Sequence, residues 1–292
     1  MLISANTKIL DGRMSEIEAV KYFAKCGFNA LDLGMGDMWD ENSPKVQSNY
    51  VEYAKELKRV ADGCGVVFNQ SHTPMHSSYV DEAKTAKAFD HIKRAIEIAA
   101  IVGAKNTIVH PKQHLEYPEF KDELKAQNIE FYNKLLPLCD EYDINILTEN
   151  MWRTKGTNAI LHSVCAPIDE FCEYVDMMNH PRFGACLDIG HTYLVHENII
   201  DMINALDHRI WGLHIHDVAL DNDLHTIPFF GNIKNWEEIM KALGKIGYKG
   251  DITFEIKGLS QIPDSILPDT LKLLHSIGEE LAKMVESGRK EG

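Results

Sequence analysis

The sequence predicts a single-domain α/β protein, a closed parallel (β/α)8 TIM barrel spanning residues 1–292, and three observations carry that reading. Strand-like and helix-like segments alternate from end to end. Eight of the strand-like segments are short and rich in Val, Ile, Leu and Phe, as expected of parallel strands buried on both faces. Six of them close on a residue able to bind a metal ion: His72 (VVFNQSH), His110 (NTIVH), Glu149 (INILTE), Asp188 (FGACLD), His214 (IWGLH) and Glu255 (DITFE). A parallel barrel crowds the carboxyl ends of its strands onto one rim, so ligands scattered along the chain would meet there.

In chain order the strands read LISAN, NALDLG, VVFNQSH, NTIVH, INILTE, FGACLD, WGLHIH and DITFEI. The segment after the third strand places Ile92, Ala95, Ile96 and Ala99 on one helical face. Trp236, Ile239, Met240, Leu243 and Ile246 do the same after the seventh, and Leu271, Leu274, Ile277 and Leu281 near the C-terminus. Gly27, Gly65, Gly103 and Gly247 fall just past helices, where a left-handed residue ends the helix and feeds the next strand. An open doubly wound sheet is the alternative, but the chain has neither a GxGxxG loop after the first strand nor a GxxxxGK[ST] loop. No Pro- or Ser-rich linker divides it. The long non-regular stretches are roughly 35–46, 111–118, 150–166 and 217–235, and most follow strand ends, where specificity is built.

The 292 residues, 45% hydrophobic and 25% charged, fit a soluble globular barrel. No apolar run approaches the ~18–20 residues of a membrane span. MLISANTKILDGR lacks a basic start, a long apolar block and a cleavage site, so a cytoplasmic protein is expected. Cys26, Cys64, Cys139, Cys165, Cys172 and Cys186 form no CxxC pair and read as reduced packing thiols; this includes Cys186, two residues before Asp188. A formal charge of −14 argues against a nucleic-acid partner.

Glu149, Asp188, His214 and Glu255 end four successive strands. Carboxylates with one imidazole make a hard, mixed oxygen and nitrogen site suited to Mn²⁺, Mg²⁺, Co²⁺ or Zn²⁺. A second set surrounds them: His72, His110, His191 in CLDIGHTYL, and the Asp223/His225 pair. These would hold further metal ions or orient a polyhydroxylated substrate. Strand alternation puts His216 on the face of His214. Arg153 and Lys257 are the cations nearest the rim, candidates for a substrate oxygen or phosphate. His76, His114, His162, His180, His196, His208 and His275 read as loop or helix residues without a role at the site.

The segments ILTEN, GACLDIGHTYL, LHIHDV with the later DxH, and FEIKG resemble the xylose isomerase-like barrel superfamily over most of the chain. That group includes sugar isomerases and epimerases, inosose dehydratases and endonuclease IV-type nucleases. In its isomerase branch, the resemblance implies one divalent ion on Glu149, Asp188, His214 and Glu255, with the two glutamates as the proton-transferring pair. In its nuclease branch it implies three zinc ions on His72, His110, Glu149, Asp188, His191, His214, Asp223, His225 and Glu255, all present here. HIHD resembles the sugar branch, whereas the nucleases carry HLND and a basic, serine-containing loop. The stretch ALDNDLHTIPFF is acidic and apolar, and the likely rim loops offer few cations beyond Lys112, Arg153, Lys155 and Lys257. The glycine-rich turn usual after the DxH pair appears as Phe230-Gly231-Asn232, with one glycine.

The expected function is therefore a metal-dependent isomerase or epimerase of an unphosphorylated carbohydrate. The alternatives are an endonuclease IV-type trinuclear zinc phosphodiesterase and a cyclitol or keto-acid dehydratase. Barrels of this group often pair into homo-oligomers, and the stretch MGDMW is a candidate contact or substrate lid.

Overall fold

Each of the eight strand segments forms a barrel strand. They are β1 (Ile3–Asn6), β2 (Ala30–Gly34), β3 (Val67–His72), β4 (Asn106–Ile108), β5 (Asn145–Glu149), β8 (Phe183–Asp188), β9 (Ile210–His214) and β12 (Ile252–Phe254). The numbering skips to two hairpins, β6 (Trp152–Lys155) with β7 (Ala159–His162), and β10 (Asp217–Ala219) with β11 (Asn222–Thr226). The computed structural model describes residues 1–155, 159–220 and 222–291. Residues 156–158, 221 and 292 lie outside the described residues, as do the side chains of Lys155 and Ser260, and with them the reading of Lys155 as a rim cation.

The eight strands pair in parallel in the order β12-β1-β2-β3-β4-β5-β8-β9. The ring closes between β9 and β12: Ile215 N–H donates to Thr253 O at 2.9 Å, and Glu255 N–H to Ile215 O at 3.2 Å. Closure leaves no open edge in this sheet. Eight helices among the described residues cover its outside, α1 (Glu16–Lys25), α2 (Tyr50–Cys64), α3 (Glu82–Val102), α4 (Lys121–Tyr142), α5 (Ile168–Met178), α7 (Ile199–Leu206), α8 (Trp236–Lys245) and α9 (Leu267–Glu291), while the short α6 (Ile189–Leu194) follows β8 at the rim and carries His191. The apolar helical faces anticipated on α3, α8 and α9 are buried, except that Ile246, just past α8, is half-exposed. Gly27, Gly65, Gly103 and Gly247 all have positive φ. None of the described helices is long and apolar enough to cross a membrane.

Two expectations are corrected. The stretches 150–166 and 217–235 are not irregular, because each contains an antiparallel hairpin beside a strand end. MGDMW is not an exposed contact or lid. Met35 and Met38 are buried in the core, and half-buried Trp39 packs edge-on against Tyr79 and His91.

The barrel interior explains why distant ligands meet. Side chains alternate across a strand, so residues two apart share a face. Ile108, Leu147 and Cys186 form a small apolar cluster separate from the main core. Two residues further along those strands come His110, Glu149 and Asp188. The apolar layer thus floors a layer of candidate ligands.

The last helix seats against α8 at backbone distance. A Cβ on Gly244 would lie 2.1 Å from Val285 O, and one on Gly288 would lie 2.2 Å from Lys241 O. Gly288→Val is expected to lower stability by about 3 kcal/mol through overpacking. Urea denaturation measures it, and an unchanged midpoint would show that α9 does not depend on this contact.

Candidate metal centre

Glu149, Asp188, His214 and Glu255 converge with ligand atoms within 4.8 Å of one another. His214 Nδ1 lies 3.1 Å from Glu149 Oε1 and 3.5 Å from Glu255 Oε2. The first three side chains are fully buried, and Glu255 keeps 17% exposure, opening towards the cavity. The strand ends place all four, as the sequence implied.

The surrounding histidines are held in one tautomer. His72 Nδ1 faces Thr73 O at 2.7 Å and His110 Nδ1 faces Met75 O at 2.6 Å. His191 Nδ1 faces Asn150 O at 3.0 Å, and His225 Nδ1 faces Glu255 O at 2.8 Å. A carbonyl only accepts, so each Nδ1 carries a hydrogen and each ring turns its Nε2 inward, bare whenever the ring is neutral. Those lone pairs meet other acceptors. His72 Nε2 and His110 Nε2 are 3.0 Å apart, and His110 Nε2 is 3.0 Å from Glu149 Oε2. His225 Nε2 is 3.0 Å from Asp223 Oδ2, and His191 Nε2 is 3.7 Å from Asp223 Oδ1, a buried atom with no hydrogen-bond partner among the described residues. Facing acceptors repel unless a proton or a cation lies between them. The donor set therefore fits a divalent metal, with ring orientation fixed by main-chain acceptors behind it.

His216 differs from these four. Its Nδ1 faces Asp217 O at 3.2 Å and its Nε2 lies 3.0 Å from Asp188 Oδ1, so both nitrogens act as donors. Burial disfavours its charge, but Asp188 outweighs this and holds its pKa up at about 9. The ring stacks on His225 with centroids 3.8 Å apart. Gly190 makes room for it, since a Cβ there would sit 2.0 Å from His216 Cε1. The single glycine of Phe230-Gly231-Asn232 has a similar reason: a Cβ on Gly231 would meet Asp217 Oδ1 at 2.3 Å. The Asp217 carboxylate accepts from the N–H groups of Val218, Phe229 and Ile233 and from Trp236 Nε1, which organises the whole loop.

Burial alone would raise the carboxylates, but in the metal-free centre the adjoining imidazoles, when protonated, draw them below their usual range: His214 and His110 for Glu149, His191 and His216 for Asp188, and His214 and His225 for Glu255. His214 moves up despite its burial, under Cys186, Glu149 and Glu255. Depressed carboxylates stabilise the fold above their unfolded pKa near 4 and lose this as pH falls. Raised histidines stabilise it below about 6.5 and lose this as pH rises through the folded value. Metal-free protein should therefore be most stable between about pH 4.5 and 6.5. Its melting temperature should fall towards pH 10, with His216 contributing on the order of 3 kcal/mol. Thermal melts in chelator across that range test this, and a flat profile would contradict it.

A cavity of about 480 Å³ lies over the centre, lined by Glu149, Glu255, His110, His191, Asp223 and His225 and by Met75, Met151, Trp152 and Tyr79. His76 and His114, loop residues as expected, also line it. Arg153 and Lys257 reach it as expected, but each is ion-paired, Arg153 with Glu116 at 2.6 Å and Lys257 with Asp223 at 3.1 Å. Cys186 is a neutral thiol in the apolar floor, pushed up to about 12 by burial.

Two residues at the site escaped the sequence reading. Asp32, buried in β2, puts Oδ2 3.4 Å from His214 Nε2 and accepts from Asn6 Nδ2 at 3.0 Å. Its carboxylate faces the far nitrogen of His214 and helps to hold that imidazole's pKa up, although His214 Nε2 has no hydrogen-bond partner among the described residues. Its only signal was a charge inside the apolar strand NALDLG. Asn150 staples β5 to β8, accepting from Asp188 N and donating to Asp188 O.

The model of the xylose isomerase-like TIM barrel family matches residues 20–277. A D-psicose 3-epimerase of Ruminiclostridium cellulolyticum is 22% identical over 244 residues, 81% of this chain and 76% of that protein. A probable endonuclease 4 of Staphylococcus carnosus is 26% identical over 187 residues, 57% of this chain and 60% of that protein. The chain spans about three fifths of the length of the first curated relatives it matches. Among solved structures, a D-psicose 3-epimerase studied in the presence of D-fructose superimposes with a TM-score of 0.75 at 14% identity, covering 96% of this chain and 99% of that one. With eight parallel strands in a ring and a family match over most of its length, the chain belongs to the xylose isomerase-like TIM barrel family.

Proposed function

We propose that the protein is a divalent-metal-dependent epimerase or isomerase of a sugar or sugar derivative, with Glu149 and Glu255 as its proton-transferring pair. One observation carries the reading: both glutamates converge with Asp188 and His214 beneath a cavity of about 480 Å³. The sugar epimerases among its relatives support it. Glu149, Asp188, His214 and Glu255 would hold Mn²⁺, Mg²⁺, Co²⁺ or Zn²⁺. A bound ion would supply Lewis-acid stabilisation of the negative charge that proton abstraction leaves on the substrate oxygens.

The chain's own groups do the rest. Both glutamates are held in the ionised form, so either can accept a carbon-bound proton next to a carbonyl. If one removes the proton and the other, having first taken a proton from solvent, delivers it to the opposite face, the stereocentre inverts. If the same carboxylate returns it to the neighbouring carbon, the sugar isomerises. His191 and Arg153 line the cavity and would hold hydroxyls, and Trp152 and Met151 would offer apolar surface to the sugar's C–H faces. The six unbridged cysteines fit a cytoplasmic setting.

The test is incubation of the metal-loaded protein with a panel of keto sugars in D2O, followed by NMR. Deuterium should appear at the carbon that inverts. No incorporation into any of them would overturn the reading. The nine-ligand arrangement favours one second reading, a trinuclear zinc phosphodiesterase. Three zinc ions per chain with cleavage of abasic-site DNA would establish that instead. Against it, Arg153 and Lys257 are already engaged by carboxylates, and Lys112 sits over the Phe131 ring rather than at the cavity mouth.

A further inference from the structure

The space above the metal centre does not end at Arg153. A second cavity, of about 640 Å³, opens on the far side of that side chain and shares it as a wall. The partition is the Arg153–Glu116 ion pair, which bridges β6 and the loop after β4. The two chambers differ in chemistry. The inner one gathers the histidines and carboxylates described above, whereas the outer one presents the apolar surfaces of Tyr117, Pro118, Leu161 and Pro167, with acidic and histidine side chains beside them. Leu161 projects from the hairpin 36% exposed, a large apolar side chain left partly uncovered beside the hollow. At the junction, Arg153 Nε is buried without an acceptor among the described residues, and Nη1 is held by Glu116.

A single hexose ring needs only the inner chamber. Nothing in its binding would use an apolar annex beyond the arginine. Resting on the reading under Proposed function, we infer that the substrate is a keto sugar carrying an apolar, ring-sized substituent at its anomeric carbon. The sugar lies over Glu149 and Glu255, the substituent lies against Leu161 and Pro118, and the linkage passes Arg153. The carbonyl then belongs to a ring carbon other than the anomeric one. The proton leaves a carbon next to that carbonyl for a carboxylate and returns from a carboxylate. The bond to the substituent stays intact, and no further reactant is consumed.

Calorimetric titration with methyl and phenyl 3-ketoglucosides tests this, with the wild-type protein and with Leu161→Trp, which puts an indole where the substituent would lie. A second variant, Leu161→Arg, makes the chamber polar without touching the core. The phenyl compound should bind wild-type protein at least about tenfold more tightly, by the apolar area it buries, and each variant should bring the two compounds to within about twofold. Equal affinities in the wild type, a preference that survives both variants, or no binding of either compound would overturn the inference. Deuterium exchange on the same samples separates the two proposals. Exchange without a phenyl preference keeps the reaction and removes the outer subsite, and a phenyl preference lost in the variants without exchange does the reverse.

Discussion

Glu255→Gln is expected to leave the barrel folded and to lower solvent exchange into substrate by roughly a thousandfold, the scale of a lost general acid or base. The amide has the shape of the carboxylate but cannot accept the proton. It also removes a negative charge 3.5 Å from His214 Nδ1, so metal affinity should fall as well. Measuring exchange at saturating metal separates the two effects. Glu149→Gln should be worse for the fold. Glu149 is buried and lies 3.1 Å from His214 Nδ1, so its amide would leave that raised, buried imidazole without a carboxylate that holds its charge. Wild-type exchange rates in Glu255→Gln would remove that residue from the chemistry, whatever the metal content.

Chelation is the second large effect. Removing the ion should abolish turnover and lower the melting temperature, and restoring Mn²⁺, Mg²⁺, Co²⁺ or Zn²⁺ should reverse both. At a hundredfold excess over its dissociation constant, an ion that binds only the folded chain adds about 2.7 kcal/mol of stability. The physical source is the repulsion described at the centre. The bare Nε2 atoms of His72 and His110 face each other and Glu149 Oε2, and those of His191 and His225 face Asp223. Thermal melts in chelator, then with each ion in turn, read this directly. A melting temperature indifferent to every ion, with activity retained in chelator, would dismiss the centre.

The strands were readable because burial on both faces demands unbroken apolar runs, and their polar last residues stood out against that background. Glu149, Asp188, His214 and Glu255 could be read this way. The hairpins could not. Their outer strands, such as Ala159–His162, alternate exposed and half-exposed residues and carry no strong period. His76 and His114 come from loops whose path no local pattern sets, and they reach the cavity because the chain folds back over the rim. Asp32 was visible as a residue and silent as a partner, since its use depends on β9 lying across the barrel from β2.

The order of strands and helices, the identity of the ligands and their place at strand ends follow from the sequence alone, because periodicity and burial are local properties of a chain. Which nitrogen each histidine turns inward, which cations are already paired, and that a second chamber adjoins the first were decided only by tertiary structure. Those depend on distances between residues far apart in sequence, and such distances exist only once β9 and β12 have closed the ring.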